Sequence, residues 1–151
     1  MNEKWNNGCL IESLPLVPII PLRRKMKAET IYRKVRKNLI SQPKRAVDPE
    51  ADVCLYYDEN TGLRCAIGGI LPLEVAQSIK TLRSSVPSLP FQILDLVLPS
   101  DMHRGTGVEF LRELQRAHDN KEHWDEKGFN QKGRDYLTLI YKLCMPKRTS
   151  C

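Results

Sequence analysis

The sequence predicts a small α+β domain, in which one β-hairpin, with a third strand as an open alternative, packs against about four helices. The chain has 151 residues, which is enough for one hydrophobic core and too few for two. Four segments repeat apolar residues with the period of a helix, and two short runs of strand-forming residues flank a turn. Since hydrophobic residues make up 41% and charged residues 28%, the composition is that of a soluble globular protein.

The N-terminal segment differs in composition from the rest. Pro15, Pro18 and Pro21 recur every third residue, and proline cannot continue a helix because it lacks the amide donor. The spacing favours an extended polyproline conformation, and the prolines interrupt the apolar run that a secretory signal would need. We therefore predict an extension over residues 1–25, followed by a single domain over residues 26–151.

The first predicted helix covers residues 26–42. Ile31, Val35 and Leu39 recur at i, i+4 and i+8, which gives the helix one apolar face. Pro43 ends it, because a residue that precedes proline is biased away from helical angles. Basic side chains occupy the opposite face.

The predicted hairpin joins residues 53–57 to residues 63–67 through a turn at 58–62, where asparagine and glycine tolerate left-handed backbone angles. This register places Cys54 directly opposite Cys65. The two cysteines are then expected to lie side by side on the inner face of the hairpin.

Three further helices are predicted over residues 72–84, 107–118 and 134–144, each from apolar residues on one side. The apolar run 91–98 fits a strand or a helical turn, and periodicity does not distinguish them. Residues 119–133 form a polar linker.

The basic charge is concentrated in one region. Residues 1–50 contain eleven basic and five acidic side chains, whereas the remaining residues contain thirteen of each. Such asymmetry indicates a surface that meets an anionic partner, either an acidic protein surface or a nucleic acid, although a merely solvated helix face is an open alternative. The predicted binding residues are Arg23, Arg24, Lys25, Lys27, Arg33, Lys34, Arg36 and Lys37.

The cysteines and histidines are candidate metal ligands. Structural zinc sites commonly pair cysteines two to four residues apart, whereas ten residues separate Cys54 from Cys65. His118 and His123 complete a ligand set only if the third predicted helix, over residues 107–118, packs over the hairpin. An odd total of five cysteines and their irregular spacing indicate a reducing cytoplasm without a lasting disulfide. No metal and no cofactor are predicted, and the two cysteines are interpreted as small buried residues.

A cysteine-dependent enzyme is the second alternative function. In it Cys65 would attack, His118 would act as base and an acid would orient the imidazole. Neighbouring helical residues point about 100° apart, so Asp119 is not expected to orient His118. We predict no catalytic residue, and expect His118 to be a core histidine bonded to backbone or to a nearby carboxylate.

One series of motifs runs through the predicted domain. It comprises Ile31-Tyr32-x-x-Val35, Leu39-x-x-Gln42, Cys54-x-Tyr56, Gly62-x-x-Cys65-Ala66-x-Gly68, Leu71-Pro72, Leu111-x-x-Leu114-Gln115-x-x-His118-Asp119 and Trp124. Over residues 26–144 this series resembles a family of small proteins encoded by tailed phages and prophages. The Cys-Ala-x-Gly and Leu-Gln-x-x-His-Asp pieces are the most specific parts of the resemblance.

The resemblance implies a phage genomic setting and no mechanism, because the family has no settled activity. It also implies one spatial cluster, called here the cysteine–histidine cluster, that consists of Cys54, Cys65, His118, Asp119 and Trp124.

The predicted function is therefore a non-enzymatic phage accessory protein that binds a host protein, as a counter-defence or host-regulation factor in the bacterial cytoplasm. Nucleic-acid binding through the basic N-terminal helix is the first alternative. No stretch of eighteen apolar residues occurs, so no membrane association is predicted. The sequence does not indicate an oligomeric state.

Overall fold

The computed structural model describes residues 25–79 and 85–146. These ranges contain six α-helices and two short antiparallel hairpins, which confirms the α+β prediction. The elements are α1 (Ala28–Ser41), β1 (Val47–Asp48), β2 (Val53–Cys54), α2 (Ala66–Ile70), α3 (Leu73–Ser78), α4 (Phe91–Val97), α5 (Arg104–Asp119), β3 (Trp124–Asp125), β4 (Gly128–Phe129) and α6 (Gln131–Cys144).

Helix α5 is the centre of the fold, since α1, α2 and α6 all contact it. Its apolar face carries Phe110, Leu111 and Leu114, which are at most 1% exposed. Burial of one such side chain contributes about 1.5–3 kcal/mol. The last turn of this face ends in His118, so the core continues directly into the cysteine–histidine cluster.

Helix α1 has the predicted apolar face. Ile31, Val35 and Leu39 are fully buried against the core. The helix begins where the backbone N–H of Ala28 donates to Asp101 Oδ1 at 2.9 Å, and it ends where the backbone turns extended before Pro43. The opposite face of α1 is exposed.

The first hairpin differs from its prediction. Strand β2 pairs with β1, so that the partner of Cys54 is Val47 and not Cys65. The predicted second strand over residues 63–67 is wrong, because Cys65 instead caps helix α2 and its Sγ accepts the backbone N–H of Gly68 at 3.3 Å. One backbone bond, from Cys65 N–H to the carbonyl of Leu55 at 3.3 Å, still joins the two segments.

Close backbone packing explains why α2 lies here. A Cβ atom on Gly68 would stand 1.9 Å from the carbonyl oxygen of Tyr56, a distance that no side chain can tolerate. Helix α2 therefore packs directly on the chain that follows β2, and glycine is required at this position.

The structure defines the conformation of two other segments. The run 91–98, open between strand and helix, contains α4. The predicted linker 119–133 contains the second hairpin, in which Trp124 pairs with Phe129. Gly128 closes its turn with a φ of +119°, which favours glycine.

Some predictions fall outside the described ranges. Of the predicted extension 1–25 only Lys25 is described, and residues 80–84 of the helix predicted over 72–84 also lie outside. Within the part of the chain that the structure describes, no helix combines the length and the apolarity needed to cross a bilayer.

Candidate functional site

The predicted basic surface is placed on helix α1 by its amphipathic sequence. Arg23 and Arg24 lie outside the described residues. Lys25 precedes the helix and forms an ion pair with Asp95 at 3.2 Å. The remaining five residues, called here the basic face of α1, are exposed and consist of Lys27, Arg33, Lys34, Arg36 and Lys37.

Most of the basic face is electrostatically uncompensated. Arg33 is paired with Glu29 at 2.9 Å. Within residues 25–79 and 85–146, no carboxylate forms an ion pair with Lys34, Arg36 or Lys37. These three cations lie within about one helical turn of one another and point into solvent.

The structure also places all five residues of the cysteine–histidine cluster together, and His118 is at its centre. His118 is completely buried, and its Nε2 accepts the backbone N–H of Ala46 at 3.1 Å. Its Nδ1 lies 2.9 Å from Asp119 Oδ1. Since Nε2 accepts a hydrogen bond, the proton of the neutral ring is assigned to Nδ1, which donates to Asp119.

The expectation that Asp119 does not orient His118 is therefore wrong. Asp119 is the last residue of α5, and its carboxylate folds back along the helix. There the side chain of Gln115, one turn earlier, also donates to Asp119 Oδ1 at 2.9 Å. Neighbouring helical side chains leave the backbone about 100° apart. The Gln115 amide nevertheless holds the Asp119 carboxylate where it reaches the His118 ring.

Gln115 belongs to this site, although the sequence did not predict a role for it there. Its Nε2 lies 3.0 Å from Cys54 Sγ, and its Oε1 accepts the backbone N–H of Ile67 at 3.1 Å. It thus connects α5 to the hairpin and to α2. The i, i+4 spacing from Gln115 to Asp119 was the available signal.

The two thiols of the cluster differ in burial. Cys65 is completely buried and Cys54 is half-buried. Hydrogen-bond contact with the Cys65 thiol and burial raise the pKa of Cys54 well above its ordinary value. Both effects keep the Cys54 thiol protonated at neutral pH, whereas a nucleophilic cysteine needs a lowered pKa.

Trp124 closes the cluster from the second hairpin. Its indole N–H donates to the carbonyl of His118 at 2.8 Å, and the two rings meet edge to face with centroids 5.8 Å apart. The carbonyls at the end of α5 lack partners within the helix, so this bond also satisfies one of them.

A cavity of about 330 Å³ borders the cluster on its solvent side. Cys54, Gln115 and Asp119 line it, together with Arg45 and Asp52. The Arg45 guanidinium donates to the carbonyl of Asp119 at 2.9 Å and to Asp52 Oδ1 at 3.1 Å. The charges of the cavity wall are thus partly paired, and Val53, Tyr56 and Val86 add apolar surface to it.

This geometry does not form a cysteine–histidine catalytic pair. A general base needs a free ring nitrogen within hydrogen-bond reach of the thiol. Both ring nitrogens of His118 already have partners, Ala46 and Asp119. Comparisons of the chain with protein-family models, with curated proteins and with solved structures find no match.

Proposed function

We propose that the protein is a non-enzymatic binding protein whose basic face of α1 contacts an acidic surface on a protein of a bacterial host. The observation that carries this proposal is the exposure of Lys34, Arg36 and Lys37 without a carboxylate partner among the described residues. Cations grouped on one rigid helix face give complementarity to acidic groups and speed association.

The cysteine–histidine cluster supports a non-enzymatic role. Its hydrogen bonds fix His118 in one tautomer, and its Cys65 thiol is completely buried. Among the described residues, the positive charge that faces solvent without a carboxylate partner lies on the helix face. The resemblance to small phage proteins is the reason to seek the partner in a bacterial host, where counter-defence or host regulation would be its role.

The test is capture from a bacterial lysate by the full-length protein, followed by cross-linking to locate the contact. The Lys34→Glu/Lys37→Glu variant reverses two charges of the basic face. The Lys127→Glu/Lys142→Glu variant makes the same charge change at exposed lysines of the second hairpin turn and of α6. We expect wild type and this control to recover one acidic protein stoichiometrically, and the first variant to recover about tenfold less.

Two outcomes would contradict the proposal. One is recovery of no stoichiometric protein by the wild type. The other is equal recovery by both double variants, which would mean that the contact lies elsewhere.

Nucleic-acid binding through the same face is the second candidate, and it too is favoured by Lys34, Arg36 and Lys37, which are exposed and form no ion pair with a described carboxylate. Phosphate contacts release counterions, so the logarithm of the binding constant should fall linearly with the logarithm of salt concentration. Fluorescence anisotropy with duplex DNA and with single-stranded RNA at low salt tests it. Absence of binding to both at low salt removes this candidate and leaves the protein partner.

A further inference from the structure

We propose that Cys54, Cys65 and Asp119 bind one divalent transition-metal ion of the zinc type, with His118 as the positioning residue of Asp119. This inference goes beyond the proposed function and does not depend on it. It assigns to the cysteine–histidine cluster a ligand that would join the first hairpin, α2 and α5.

Potential metal-donor atoms from distant segments of the chain converge in the cluster. Cys54 Sγ, a ring nitrogen of His118 and a carboxylate oxygen of Asp119 all lie within 4.8 Å of one another. The Cys65 thiol interacts with that of Cys54 and lies outside this group of three. In a tetrahedral zinc site with bonds of about 2.0–2.3 Å, ligand atoms stand about 3.3–3.8 Å apart, so the site forms by small shifts of Cys54 and Asp119 and by rotation of the Cys65 side chain toward them.

The hydrogen bonds of His118 indicate which donors are ligands. A metal on Nε2 of His118 would take the acceptor from the Ala46 N–H, which donates to it at 3.1 Å. A metal on Nδ1 would leave the ring without any proton, because Nε2 already accepts. Both arrangements are costly, so His118 stays outside the coordination sphere and orients the Asp119 carboxylate through the 2.9 Å contact.

The backbone around Cys65 stabilises a thiolate at that residue. The backbone N–H of Gly68 donates to Cys65 Sγ at 3.3 Å, a bond that strengthens when the sulfur becomes anionic. On metal binding the two thiols release their protons to solvent and bind as thiolates. Two thiolates, one carboxylate and a divalent cation carry a net charge of −1, which is offset by the net positive charge that Arg45 and Lys121 leave around their shared partner Asp52.

The Gln115 side-chain amide occupies the place that the metal ion would take. The Gln115 amide group donates to both Cys54 Sγ and Asp119 Oδ1, so positive N–H groups already stand between two of the donors. A cation replaces those contacts, and Gln115 keeps its bond to Ile67 through Oε1. The cavity of about 330 Å³ provides the entry path from solvent.

The test begins with a titration of the reduced, metal-free full-length protein with Co²⁺, followed by Zn²⁺. We expect one equivalent of Co²⁺ to produce thiolate-to-cobalt charge-transfer absorption that Zn²⁺ abolishes. Cys54→Ser and Asp119→Asn should each weaken Co²⁺ binding at least about tenfold. Cys144→Ser, at a half-buried cysteine of α6, is the matched control and should bind like wild type.

X-ray absorption of the zinc-loaded protein then tests the role of His118. We expect two sulfur ligands and none of the scattering that a coordinated imidazole produces. Imidazole scattering would overturn the assignment of His118 as a positioning residue. A titration without charge-transfer absorption, or one in which Cys54→Ser and Cys144→Ser behave alike, would overturn the site itself.

Discussion

The cysteine–histidine cluster and the basic face of α1 use polar groups in opposite ways. In the cluster His118 is completely buried and both ring nitrogens have partners. On α1, Lys34 and Lys37 are exposed and form no ion pair with any described carboxylate. The cluster is therefore expected to contribute to stability, and the basic face to binding, because an unpaired polar group is costly only where water is excluded.

The comparison separates two kinds of variant. Loss of a buried partner leaves donors and acceptors that water cannot reach, whereas loss of an exposed cation leaves the fold unchanged.

His118→Ala should destabilise the protein by about 3–5 kcal/mol. It opens a cavity, leaves the Ala46 N–H without its acceptor and removes one of the two donors to Asp119, the other being Gln115. Denaturant unfolding measures the change, with His103→Ala, at an exposed histidine without a side-chain cap bond, as the control that stays within about 0.5 kcal/mol. A loss below about 1 kcal/mol for His118→Ala would show that the cluster does not stabilise the fold.

Gly68→Ala should cost about 2–4 kcal/mol, since the new Cβ would meet the Tyr56 carbonyl at 1.9 Å and the backbone must separate. Gly105→Ala is the matched control in α5, because nothing lies within 4 Å of a Cβ there. The control should be unchanged or more stable by up to about 1 kcal/mol. Equal unfolding midpoints for the two variants would contradict the close packing of α2.

Lys34→Glu/Lys37→Glu should leave the free energy of unfolding within about 0.5 kcal/mol of wild type, as exposed substitutions of good helix formers do. The same variant should lose partner binding while its free energy of unfolding stays unchanged. Thermal unfolding and the capture assay on one protein preparation provide both measurements. A destabilisation comparable to that of Gly68→Ala would mean that the basic face is part of the folded core.

The smallest effect is expected at an exposed ion pair outside both regions. The hydrogen bond from Lys132, at 3.0 Å, lowers the pKa of the Glu122 carboxyl below its ordinary 4.5. A lowered folded-state pKa adds stability that is present above pH 4.5 and is lost as the pH falls through the folded value. Lys132→Met should therefore raise the pKa of Glu122 in an NMR titration, with little change in the unfolding midpoint. An unchanged pKa would show that the pair does not form in solution.

Local patterns in the sequence were sufficient to predict much of the helical structure. The stripe Ile31, Val35 and Leu39 predicted α1 to within two residues at its N-terminus, and Pro43 marked its end. Burial of one helix face depends on residues three and four apart, which a single segment contains. The resemblance predicted the grouping of the cysteines with His118 and Asp119, whereas the hairpin register that placed Cys54 opposite Cys65 was wrong.

Tertiary structure decided what each of those residues contacts. Cys54 pairs with Val47, and Cys65 begins a helix, because the chain can approach Tyr56 closely at Gly68. The bond from Ala46 to His118 fixes the tautomer of the ring, and it joins residues 72 positions apart. The sequence by itself determined the periodic elements and the uneven distribution of charge. Strand pairing and proton positions depend on groups that meet only when the core excludes water and each buried donor must find an acceptor.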